Sequence, residues 1–185
     1  MKRFYFLVGV LLIITGCANP EYFFKNDKFL KSEQSRIKQI VVLPFSGETT
    51  FRNEVADVFT MHLLNGLKDK EIKIIQPSNA KIVMEEMKIS LTLNGDAQFD
   101  KETQRLAQLL HADAVIMGEV RSHQTGATMN GFVTVKLIDT KTGGMIAASH
   151  RASGLLFGYS VHQAVIAAAE NATDDIVSAI NELPR

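Results

Sequence analysis

The stretch Ile40-Val41-Val42-Leu43 is a continuous apolar run rich in β-branched residues, and Pro44 and Phe45 close it. A strand with one wet face alternates apolar and polar residues, whereas a continuous run predicts a strand buried on both faces. Ala114-Val115-Ile116-Met117 has the same character and ends at Gly118. These two runs therefore predict a sheet that helices cover.

The rest of the chain predicts further helices and strands around these two runs. Helical spacing of apolar residues marks 51–68, 77–88 and 100–110, strand patterns mark 72–75, 132–139 and 145–153, and a capping box at Ser160 and Gln163 opens a last helix. The predicted order is β-α-β-α-α-β-β-β-α. Strands joined by helices pair in parallel, and the late hairpin adds antiparallel strands. We therefore predict an α/β (α+β) domain over residues 37–185, with a single mixed β-sheet covered by helices.

The amino terminus has the pattern of a secretory signal. Lys2 and Arg3 precede an apolar run, Phe4–Ile14, which is too short to span a bilayer. Ile14-Thr15-Gly16-Cys17 resembles the lipobox of bacterial lipoproteins, which implies cleavage between Gly16 and Cys17 and acylation of Cys17. The alternative is an ordinary signal with an incidental cysteine. We expect residues 1–16 to be a lipoprotein signal peptide and the lipidated Cys17, a target for palmitate, to bind the membrane.

The residue after Cys17 is Ala18, and this bears on localisation. In the enterobacterial sorting rule an Asp there retains a lipoprotein in the inner membrane, so Ala18 favours the outer membrane with the domain facing the periplasm. Cys17 is the sole cysteine, which suits an oxidising periplasm. Without Lys2 and Arg3, the 20 basic residues fall to 18 against 20 acidic ones. Such a balance gives no reason to expect nucleic acid as a partner.

Residues 17–36 are predicted to be a lipidated tether of about 20 residues, with a reach of at most about 65–70 Å. It is rich in large apolar side chains, namely Tyr22, Phe23, Phe24, Phe29 and Leu30. One interpretation places them at the membrane interface or against the domain. The other docks them on a neighbouring subunit or a partner.

No pattern of catalytic or metal-binding residues stands out. The five histidines form no pair at i, i+4 spacing, and Gly143-Gly144 is explained by turn geometry. We therefore expect no enzyme activity, no cofactor and no metal. The polar segment 121–131 is predicted to be an exposed loop. It is either an ordinary connection or a site of contact with a partner, since exposed loops often carry contacts. Its candidate partner-binding residues are Arg121, His123, Gln124 and Asn130.

Several of these segments together resemble the curli-transport lipoprotein family (CsgG) and its relatives with a TolB amino-terminal-like fold, including the LpoB type. The similar segments are Ile40–Phe45, Leu63–Leu67, Ile72–Gln76, Leu106–Val120 and Val135–Gly143. The resemblance covers residues 37–153 and the lipobox. The segments include an Ala-Asp pair before an apolar strand and Gly, and a Val-x-Leu-x-Asp-x-x-Thr-Gly hairpin, and the resemblance rests on the order and spacing of the segments together.

The resemblance implies two kinds of function. One type of member is a secretion pore whose subunits share long membrane hairpins, and the LpoB type stimulates a peptidoglycan synthase. The segments 121–131 and 155–159 are too short for such hairpins, and the tether is shorter than that of the activator. We therefore expect a non-enzymatic, lipid-anchored accessory protein that binds a protein partner in envelope biogenesis or secretion. A self-assembling ring component, and so a homo-oligomer, is the alternative.

Overall fold

The computed structural model describes residues 21–31, 37–47, 50–89, 99–125, 128–155 and 160–183. Gly16 and Cys17 lie outside these ranges. Within them the chain forms six strands and five helices. In chain order they are β1 (Tyr22–Lys25), α1 (Asp27–Leu30), β2 (Gln39–Val42), α2 (Arg52–Gly66), β3 (Lys73–Ile75), α3 (Pro77–Glu86), α4 (Lys101–Leu109), β4 (Ala114–Thr125), β5 (Thr128–Asp139), β6 (Met145–Leu155) and α5 (Val161–Asn181).

The six strands form one mixed sheet in the order β1-β6-β5-β4-β2-β3. β2 pairs in parallel with β3 and β4, because helices connect these strands. β4, β5 and β6 pair antiparallel, and β1 pairs antiparallel with β6 at the edge. The predicted fold class and the order of elements from β2 onward are confirmed.

Two apolar cores lie on opposite faces of the sheet. α2 and α5 cover one face along most of its length, and the capping box of Ser160 and Gln163 fixes the start of α5. α3 and α4 cover the other face only where β2 and the first part of β4 lie. Both faces of β2 are thus buried, as its continuous apolar run predicts. The remaining part of the second face carries the features described below.

The segment before β2 contributes to the domain. Residues 22–30, which the sequence places in the tether, form β1 and α1. Phe23 and Phe29 pack against the larger core and Leu30 is buried in it, whereas Tyr22 and Phe24 are exposed. Packing on the domain therefore accounts for three of the five large apolar side chains.

The prediction that residues 121–131 form a loop is wrong. β4 continues to Thr125 and β5 starts at Thr128, so the two strands form one long hairpin. The strand pattern weakens here because both faces carry polar residues. Pairing between the two strands satisfies their backbone groups, and this outweighs the weak local signal.

Candidate partner-binding face

A part of the sheet has no described helix over it. The contacts of α3 and α4 end at Met117 on β4 and Ile138 on β5. Beyond these two residues, alternate side chains of β5 differ in their exposure to solvent. Val133 and Val135 are buried under α5, whereas Phe132 and Thr134, on the other face, are partly exposed. We call the surface that carries Phe132 and Thr134 the open face. Its side chains are Glu119 and Arg121 on β4, Phe132, Thr134 and Lys136 on β5, Ala148, His150 and Ala152 on β6, and Tyr22 and Phe24 on β1.

A row of three rings crosses the open face. The rings of Tyr22 and His150 stack with centroids 5.5 Å apart and planes 16° apart. The ring of Phe132 lies 6.3 Å from that of His150, with planes 11° apart. Thr134 Oγ1 and His150 Nδ1 are 2.8 Å apart and share a hydrogen bond, which fixes the central ring. Because the rings stack on one another, the row presents ring edges to whatever lies above it.

Charged side chains border the row. Arg121 Nε donates to Glu119 Oε1 at 2.7 Å, yet the Arg121 side chain remains 63% exposed. Lys136 lies two residues from Thr134 on the same face of β5 and is partly exposed. On the edge strand, Tyr22 and Phe24 are about half exposed. The open face therefore combines aromatic side chains with an arginine, and both residue types are enriched at protein interfaces.

Three of the four candidate residues lie on this side of the sheet. Arg121 pairs with Phe132 across the strands, and His123 pairs with Asn130. Gln124 pairs with Met129 and, by strand alternation, points to the other side. The sequence missed the ring row, because Tyr22, Phe132 and His150 meet only through strand register.

A polar network fixes the edge strand to the body. Arg151 on β6 donates to both carboxylate oxygens of Asp175 on α5, at 2.7 and 2.8 Å. Ser149 Oγ donates to the same carboxylate at 2.6 Å. Arg151 Nη1 also reaches Glu21 at 3.2 Å, and Glu21 accepts from the backbone N–H of Ala152 at 3.0 Å. The bonds to Asp175 raise the pKa of Arg151 against the opposing effect of burial, so the guanidinium stays charged.

Within the described ranges, no group of three or more His, Cys, Asp or Glu side chains could hold a metal ion. Among the described helices, none is both long and apolar enough to cross a membrane.

No protein-family model matches the chain, and no curated protein matches it either. Solved structures, in contrast, are similar to it. The PelC dodecamer from Paraburkholderia phytofirmans is similar over 90% of this chain and 99% of that one, with 13% identity and a TM-score of 0.55. Lipoprotein GNA1162 from Neisseria meningitidis is similar over 76% of this chain and 99% of that one, with 12% identity and a TM-score of 0.50.

The LpoB C-terminal domain from Escherichia coli is similar over 68% of this chain and 89% of that one, with 14% identity and a TM-score of 0.43. At these identities the likeness shows the fold alone. The chain therefore has the same fold as a solved lipoprotein from another organism.

Proposed function

We propose that this protein is a lipid-anchored, non-enzymatic accessory protein on the periplasmic side of the outer membrane. It binds a protein partner in envelope biogenesis or secretion, a peptidoglycan synthase or a secretion component. The observation that carries this proposal is the open face, where a row of rings and a charged border lie uncovered by any described helix. The lipobox at Gly16 and Cys17 supports the anchor.

The open face suits a protein more than a small ligand. Ring edges and half-exposed aromatic residues along the strands of a sheet offer contact area, whereas small molecules are bound in concave pockets. Arg121 supplies a charge for orientation, and His123, Gln124 and Asn130 continue beyond it along the hairpin. These four residues remain our candidates for contacts outside the chain.

The anchor is tested by Cys17→Ser. We expect this variant to be released into the periplasm or to keep its signal uncleaved, because the acylated sulfur is lost. Fractionation and intact mass measure both outcomes. A processed variant that still bound membranes tightly would show that the acyl chains are not the attachment.

The partner is tested by photocrosslinking in intact cells. A photoreactive phenylalanine analogue at position 22 is on the open face, and the same analogue at position 61 is a matched control, because Met61 is exposed on α2 at the opposite side of the sheet. We expect position 22 to capture a defined envelope protein, and Arg121→Glu to reduce that yield. Equal capture from both positions, or a measurable hydrolase or transferase activity of the purified protein, would contradict the proposal.

A self-assembling ring is the second candidate function. The similarity to the PelC dodecamer over nearly the whole of both chains supports it. Among the described strands, β1 and β3 lie at the two edges of the sheet, and an edge strand can pair with a strand of a second copy. Native mass spectrometry of the acylated protein in detergent decides between the two. A ring predicts a discrete oligomer and capture of a second copy at position 22, whereas a strict monomer at all concentrations rejects it.

A further inference from the structure

We infer that the short segment between Cys17 and the sheet holds the end of the β4–β5 hairpin against lipid headgroups. We call this end, Arg121–Thr125 and Thr128–Gly131, the hairpin tip. The inference rests on the proposed acylation of Cys17. It adds a fixed orientation of the domain on the bilayer, with phospholipid as the occupant of the tip.

The distance from the anchor to the body is short. The sequence suggests a tether of about 20 residues, but Glu21 is already held by Arg151 and by the backbone of Ala152. Glu21 is the fourth residue after Cys17, and only Ala18, Asn19 and Pro20 lie between them. Fully extended, the chain from Cys17 to Glu21 spans at most about 14 Å. A sheet edge bound at Glu21 therefore stays within about 14 Å of the acylated residue.

The direction of the chain points to the hairpin tip. β1 runs antiparallel to β6, so the chain leading back from Tyr22 is directed toward the end of the sheet where β6 finishes. Glu21 binds at the level of Ala152, which pairs with Phe132, and Phe132 pairs with Arg121.

The hairpin continues beyond that level, from Arg121 to Thr125 on β4. Four further residues of strand extend about 14 Å. Measured from the level of Glu21, the hairpin tip thus extends as far as Cys17 can reach when the chain between Cys17 and Glu21 is fully extended. With the acyl chains of Cys17 in the bilayer, the tip lies at the headgroups.

The residues of the tip suit that position. Ser122, His123 and Gln124 are exposed, and the sequence from Val120 to Ile138 contains no Asp or Glu. Arg121 is paired with Glu119 but keeps most of its side chain exposed. Uncharged polar and basic groups are compatible with lipid phosphates, whereas a carboxylate would be repelled by anionic lipid. The acyl chains supply the attachment, and the tip supplies the orientation.

The full acylated protein in nanodiscs of phosphatidylethanolamine and phosphatidylglycerol tests this inference. Because Cys17 is the sole cysteine and is acylated, His123→Cys and Lys141→Cys each provide one reactive thiol for a fluorophore. Lys141 is the matched control, since it is exposed in the turn at the opposite end of β5. With a headgroup-attached quencher in the bilayer, we expect at least about three-fold stronger quenching at position 123, as contact quenching acts over a few ångströms only.

A longer segment tests the mechanism. A flexible Gly-Ser linker of about 12 residues between Pro20 and Glu21 lengthens the reach well beyond the tip. We expect it to abolish the excess quenching at position 123 while the protein still floats with lipid. Equal quenching at both positions in a protein that is acylated and floats would overturn the inference and leave the anchor intact, as would quenching that the linker does not change. A protein without acyl chains by intact mass would overturn both the inference and the proposed function.

Discussion

The ring of Phe45 lies directly against the backbone of Gly118 on β4. A Cβ atom on residue 118 would come within 2.5 Å of three ring atoms of Phe45, closer than packed carbon atoms approach. Next to this contact the N–H of Ser46 donates to the carbonyl of Gly118 at 2.8 Å. The segment after β2 is thereby held along β4, and this explains why a Gly ends the apolar run Ala114–Met117.

Gly118→Ala should lower the free energy of unfolding by about 2 kcal/mol, because the buried ring must move from its packed position. Gly144→Ala is the control, since only the side chain of the exposed Thr142 lies near that Cβ. In a double-mutant cycle, Phe45→Leu should relieve much of the penalty of Gly118→Ala. Urea unfolding of the four proteins measures the coupling. Additive effects would show that the ring does not cause the penalty.

Asp113 joins the start of β4 to the start of β2. Its Oδ2 accepts from the backbone N–H groups of Lys38 at 2.9 Å and Gln39 at 3.1 Å. Asp113→Ala should lower the free energy of unfolding by about 2 kcal/mol, because two donors lose a charged acceptor. Thermal and urea unfolding check this value, with the exposed Asp69→Ala as control. A loss no larger than that of the control would mean that water replaces the carboxylate.

The contacts of Asp113 and Gly118 show why the sequence predicts the body of the fold. The motif residues that carry the family resemblance are structural. Asp139 Oδ2, for example, accepts from Thr142 N at 3.0 Å in the turn that Gly143 completes with a φ of +67°. Such motifs, together with continuous apolar runs, mark local geometry that a sequence reveals.

The candidate surface is different, because it depends on contacts between distant segments. Glu21 and Arg151 are 130 residues apart, and no local pattern indicates that they meet. The strand β1 has only four residues, and its pairing with β6 is what makes it a strand. The ring row follows from that pairing. The sequence therefore predicts that His123 and Asn130 are exposed, but not the surface beside them, and in the structure His123 is exposed while Asn130 is partly exposed.

The backbone of α5 lies close against the sheet at Gly131. A Cβ there would lie 2.4 Å from the backbone N of Val165 and 2.5 Å from the carbonyl carbon of Ala164. Backbone atoms cannot rotate away as a flexible side chain can, so α5 must shift. Gly131→Ala should lower the free energy of unfolding by about 3 kcal/mol. Gly66→Ala is an informative comparison, because the atoms near its Cβ belong to the side chain of Val177. Circular dichroism and urea unfolding measure both, and an equal loss for the two would refute the backbone argument.

The network around Arg151 contributes to stability through the carboxylate of Asp175. Asp175→Asn removes the charge that Arg151 binds through two hydrogen bonds, and it weakens the contact with Ser149. Since the pair is partly buried, the free energy of unfolding should fall by about 2 kcal/mol. Asp174→Asn, at an exposed neighbouring position on α5, should change it by less than about 0.5 kcal/mol.

The pH dependence of the wild-type protein supplies a second measurement of the same network. The pKa of Arg151 is raised in the folded protein. A raised pKa contributes stability that is fully present below the unfolded value and is lost only as the pH rises through the folded value. For a guanidinium both values lie far above neutral pH, so the charge on Arg151 gives no slope between about pH 6 and 9. The difference in unfolding free energy between wild type and Asp175→Asn should therefore stay constant over this range. A difference that disappeared toward pH 9 would mean that a group other than Arg151 holds Asp175.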